Sequence, residues 1–203
     1  MNRSWILMIG LLIVVPAQAV DAKPTVMVYL EWERSVTPSV VYRATHLASQ
    51  IFASVGMRVE FHDPHNRRND GQTGLELKLK VEAQTPSGVE PGVLALSFPF
   101  RADGGIRVFY PKVQNYKPAE CRPPVLAYMM VHEIAHVLEG MQYHSRTGIM
   151  KMKWEGRDFG EIHKLKLAFE PDDVELMRAG IERRRAGMFG NVQSGVAGNL
   201  TWH

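Results

Sequence analysis

The sequence predicts one α+β domain built on a twisted mixed β-sheet, with an early helix backing the sheet and two later helices completing the core. Three observations carry this prediction. A β-rich run is followed at once by a helical stretch; four short apolar or alternating runs come next, separated by Gly, Pro and Asp; and two helical segments, each opened by proline, come last. At 203 residues, 45% hydrophobic and 22% charged, the chain has the size and composition of one globular domain, so disorder and a polytopic membrane protein are both excluded.

The first nineteen residues read as a signal peptide. Arg3 supplies a positive start, Ile6 to Val15 an apolar core, and Ala17-Gln18-Ala19 a small-x-small cleavage site. A spanning helix needs about twenty apolar residues, so cleavage is expected rather than a retained anchor. The mature chain is expected to begin at Val20, to be secreted or periplasmic, and to have no membrane partner after cleavage. Residues 20–187 then form the folded domain, and residues 188–203, rich in Gly and Asn, a flexible tail.

Within the domain, Thr25 to Trp32 reads as the first strand. Pro38 opens a helix running to about Val55, with Val41, Ala44, Thr45, Ala48, Ile51 and Phe52 at helical spacing and Gly56 as its stop. Arg58 to His62 is a second strand, returning beside the first. The turn-forming residues Asp63 to Gly74 make a surface loop, and Leu75, Leu77, Leu79 and Val81 line one face of a third strand. Val93 to Phe98 and Ile106 to Tyr110 are the fourth and fifth, which completes a βαββββ order. Pro123 and Pro124 suit the first turn of a helix that continues from Val125 to Glu139 and ends at Gly140. Met141 to Gly160 reads as irregular. A last helix opens at Pro171 with Asp172 and Asp173 in its first turn and closes on Arg183, Arg184 and Arg185, cations placed to complement the negative helix end.

Charge and cysteine content narrow the function. A net charge of +3 with Lys and Arg scattered along the chain gives no nucleic-acid footprint. Cys121 is the single cysteine, so no intramolecular disulfide forms, and nothing near it in sequence pairs it with a base. No dinucleotide or phosphate-binding glycine pattern is present.

The chemistry concentrates at His132-Glu133-Ile134-Ala135-His136. On a helix, residues four apart lie on one face, so His132 and His136 can bind one metal ion through neutral imidazole nitrogens, a donor set that suits Zn²⁺. Glu133 beside them can take a proton from metal-bound water, whose pKa the ion lowers towards 7. Met130, Ile134, Val137 and Leu138 are available to bury the same helix in a core. A catalytic zinc usually keeps three protein ligands and one open position. His144, just past Gly140, is the leading candidate for the third, with Glu155, Asp158, Glu161 and His163 as alternatives.

The run from His132 to Met150, HEIAHVLEGMQYHSRTGIM, resembles the metzincin clan of zinc peptidases, and matrixin-like members especially. Phe169 to Val174 is similar to the start of that clan's C-terminal helix. The resemblance implies a zincin/metzincin-like fold with an active-site helix, Gly140 as the turning glycine, His144 as the third ligand, and Met150 as the methionine of the turn beneath the metal. The spacing departs from the clan's pattern. There the glycine lies three residues after the second His and the third ligand three further on, whereas here Gly140 and His144 lie four and eight residues after His136.

The expected function is therefore that of a secreted zinc endopeptidase with Glu133 as catalytic base, acting on a peptide or protein substrate; the resemblance implies that this substrate lies extended along an edge strand, Val93 to Phe98. The competing expectation is a non-catalytic, zinc-holding binding module of the cell envelope on the same scaffold. Glu133 discriminates between them, because a purely structural metal site has no use for a base.

Overall fold

The computed structural model describes residues 25–66, 74–90, 93–101 and 105–187. The expected signal segment and C-terminal tail lie outside the described residues. Five strands form one sheet: β1 (Thr25–Trp32), β2 (Arg58–His62), β3 (Leu75–Glu82), β4 (Ala95–Ser97) and β5 (Ile106–Phe109), in the spatial order β2-β1-β3-β5-β4. β1 is parallel to both β2 and β3, β3 is parallel to β5, and β4 alone runs antiparallel, against β5. The mixed sheet expected from the sequence is thus mainly parallel, and β4 lies at one edge.

Period-2 alternation decides which face is covered. Val26, Val28, Leu30, Leu77, Leu79, Val81, Ile106 and Val108 are buried, while Lys78 and Lys80 project from the opposite side of β3. Helix α1 (Pro38–Ser54) packs on the buried side through Val41, Ala44, Ala48 and Phe52, and Gly56 follows its end at φ +79°. Ala44 and Ala48 in the middle of this stripe let a neighbouring helix approach closely.

That neighbour is α3 (Arg122–Glu139), the centre of the molecule. From Val125 to Glu139 every residue is buried, because sheet, α1 and the C-terminal helix surround it. Gly140 ends it at φ 71°, ψ 28°, with its N–H donating to the His136 carbonyl at 3.0 Å, the left-handed cap expected from the sequence. The C-terminal helix, α5 (Pro171–Arg185), crosses α3 at Gly180, where a Cβ would stand 1.8 Å from the Leu138 carbonyl oxygen. Backbone approach this close requires glycine. Arg183 and Arg184, expected to serve the end of their own helix, donate instead to carbonyls at the end of α3: Arg183 to Glu139 at 2.8 Å, and Arg184 to Val137 at 2.7 and 3.1 Å. Carbonyls that α3 leaves without intrahelical partners are thereby satisfied from outside.

Two short helices depart from the sequence reading. Tyr110, read as the end of the fifth strand, opens α2 (Tyr110–Gln114), because Pro111 cannot donate to a ladder but suits a first helical turn. The stretch read as irregular contains α4 (Gly156–His163), started by a reciprocal capping box between Glu155 and Asp158.

Candidate metal centre

Helix α3 places His132, Glu133 and His136 in the interior, at 1%, 2% and 0% exposure. His132 Nδ1 lies 2.8 Å from the Ile149 carbonyl oxygen. A carbonyl only accepts, so Nδ1 carries the proton and Nε2 presents its lone pair. That Nε2 faces Nε2 of His136 at 3.0 Å. His144 closes the group from the segment after Gly140, its ring centroid 4.8 Å from that of His136 and 5.5 Å from that of His132. Each of the three offers a ring nitrogen, and the three nitrogens lie within 4.8 Å of one another. Two imidazoles bound to one tetrahedral zinc hold their nitrogens roughly 3.3 Å apart. The donor spacing and the donor chemistry therefore fit such an ion.

Protonation states agree with that fit. Burial holds His132 down to about 3, against a modest opposing contribution from the Ile149 carbonyl. Burial, reinforced by His132 and His144, holds His136 well below the usual imidazole range, and burial lowers His144 as well. All three are thus neutral donors at pH 7, the state a metal requires. Burial pushes Glu133 in the other direction, up to about 7, while the Ser97 hydroxyl opposes the shift by favouring the ionised form. Oε2 of Glu133 is buried with no hydrogen-bond partner among the described residues.

The acidic alternatives are occupied elsewhere. Glu155 and Asp158 form the α4 cap and both accept from Lys151 Nζ, at 3.2 and 2.7 Å. Glu161 pairs with Lys164 at 3.7 Å, and His163 packs edge-on against Tyr116. Among the described residues, the group of three that could hold a metal is His132, His136 and His144. Met150 is fully buried in the core, one residue after the carbonyl that orients His132, and its own carbonyl accepts the Ser145 N–H at 2.9 Å. Cys121 stands at the start of α3, outside this group.

Two neighbours escaped the sequence reading. Trp154 donates its indole N–H to the same Ile149 carbonyl at 3.2 Å and stands edge-on to His132, with centroids 5.8 Å apart. It fixes from outside the acceptor that fixes His132. Ser97, buried on β4 with its hydroxyl unpartnered among the described residues, comes near Glu133 because the edge strand runs beside α3. Neither placement beside α3 has a local signal, since Trp154 meets His132 and Ser97 nears Glu133 only across segments far apart in the chain.

No sequence-family description and no curated protein matches this chain. Among solved structures, the chain is similar to the crystal structure of archaemetzincin from Methanopyrus kandleri, at 14% identity and a TM-score of 0.52, over 82% of this chain and 99% of that one. This likeness places the chain in the metzincin-like fold expected from the sequence.

Proposed function

We propose that this chain is an exported zinc-dependent endopeptidase. The observation that carries the reading is the convergence of three neutral histidines, the buried His132 and His136 and the half-buried His144, beside a buried carboxyl, Glu133, on a metzincin-like fold. In this reading the three histidines hold Zn²⁺. When bound, the ion supplies Lewis acidity, which acidifies water towards neutral pH and polarises a carbonyl.

Glu133 is the general base and acid: it accepts a proton from the attacking water and passes it to the departing amine. Burial that raises its pKa to about 7 suits both halves of that task, because the group gains and loses a proton near the working pH. A hydrogen bond from the nearby Ser97 hydroxyl would keep a share of Glu133 ionised. The substrate backbone adds to β4, whose outer edge has no strand neighbour among the described residues and which runs beside α3.

The test is Glu133→Gln, which fills the same space and cannot accept the proton. Both forms should bind one zinc per chain, and only the wild type should cleave denatured protein or a peptide library. Undiminished turnover by the variant would remove Glu133 from the base role. A wild type that binds zinc and cleaves nothing across broad libraries would instead establish the non-catalytic binding module.

A further inference from the structure

The segment carrying His144 is held by the N-termini of two helices. α4 and α5 open with the same pattern, Glu155 to Asp158 and Glu170 to Asp173, and each forms a reciprocal capping box. In both boxes the aspartate also serves the segment that carries His144 and precedes α4. Asp158 Oδ2 accepts the Glu155 N–H at 2.8 Å and the Lys151 ammonium at 2.7 Å. Asp173 Oδ2 accepts the Glu170 N–H at 3.0 Å, while its Oδ1 accepts the hydroxyl of Ser145, the residue directly after His144. Thr147 donates to Glu170, and the Ile149 N–H to the Ala168 carbonyl at 2.9 Å. Gly148, at φ +76°, lies so close to Ala168 that a Cβ would stand 2.5 Å from its carbonyl oxygen.

This arrangement answers the two extra residues between helix and third histidine. Met141, Gln142 and Tyr143 are half-buried or exposed. The anchor lies on the far side, at Ser145. Capping α5 requires one oxygen of Asp173, and Asp173 is nonetheless completely buried, where a carboxylate needs further hydrogen bonds. Ser145 supplies one. We propose that Asp173 is a positioning residue for the metal centre, acting through Ser145 to hold His144 against His132 and His136. The proposal rests on the reading of the three histidines as a metal site.

Cobalt titration of the full-length purified chain tests it, because tetrahedral Co²⁺ absorbs visibly and its band reports the ligand set independently of any peptidase activity. Wild type should bind one Co²⁺ with an intense band, and His136→Ala should abolish binding. Ser145→Ala and Asp173→Asn should each weaken affinity about 10-fold or more, the range typical of partners that orient metal ligands. Both should also weaken or shift the band at saturation, and Ser145→Thr, which restores the hydroxyl, should recover affinity and band together. Arg178→Ala is the control for general loosening of α5: it breaks the 3.1 Å bond to the Val55 carbonyl and should lower stability without altering the band. Wild-type affinity and spectrum in Ser145→Ala would overturn the proposal while leaving the metal site standing. So would a loss that threonine does not rescue and that Arg178→Ala reproduces. If Asp173→Asn fails to fold, the serine pair decides alone. A wild type that binds no cobalt would overturn the metal reading and this proposal with it.

Discussion

Replacing Glu139 by glutamine should remove a pH dependence of stability seated in the central helix. Glu139 closes α3 fully buried, and neither carboxyl oxygen has a hydrogen-bond partner among the described residues. Burial, reinforced by the nearby Asp173 carboxyl, pushes its pKa up from 4.5 to about 8. The folded chain therefore keeps a proton that the unfolded chain releases at much lower pH. For a group raised in this way, the stabilisation is complete below the unfolded value and is lost as pH rises through the folded one. At pH 7 the loss relative to pH 4 is about 3 kcal/mol, a large share of a typical domain's stability. Glutamine keeps the shape and does not titrate. Urea unfolding of the metal-free wild type and Glu139→Gln between pH 5 and 8 measures the effect. The depressed histidines pull the other way, losing stability as pH falls below the ordinary imidazole range, but they are common to both chains and cancel in the difference. The variant should gain about 3 kcal/mol on the wild type across that interval. Parallel stability curves would show that Glu139 titrates as an ordinary carboxyl and would refute the reasoning.

His144→Ala should weaken zinc binding by more than the roughly 10–100-fold typical of outer partners, as a chelator competition would show, while Glu155→Ala and Glu161→Ala leave it unchanged. Loss of zinc in either acidic variant with retention in His144→Ala would reverse the assignment of the third ligand. Gly180→Ala should destabilise the fold by about 3 kcal/mol, because a Cβ at 1.8 Å from the Leu138 carbonyl oxygen forces α5 off α3. Helix propensity alone would stabilise the same variant by about 1 kcal/mol, so the sign of the change in denaturant midpoint decides between contact and propensity.

Much of this site is legible in the residues because its first half is local. Four residues make one helical turn, so His132 and His136 share a face wherever that helix lies, and Gly140 marks its end through a φ that other residues resist. The strands were legible for the same reason, since alternation over Leu75 to Val81 is a property of one segment. α4 was hidden by its two glycines, yet Gly160 faces open space and costs only about 1 kcal/mol, which the Glu155–Asp158 capping box offsets.

What the sequence determined by itself is therefore the helix, the histidine pair on it, the adjacent carboxyl and the α+β class. Where the next turn of chain goes was decided only by the tertiary structure. His144 reaches the pair because Ser145, Thr147 and Ile149 dock on the segment from Ala168 to Asp173, about twenty to thirty residues downstream. The acidic alternatives pair instead with Lys151 and Lys164, and the edge strand brings Ser97 near Glu133. Periodicity speaks only for neighbours along one element. Hydrogen bonds between distant segments form once the core has brought those segments together, so no spacing in the sequence announces them.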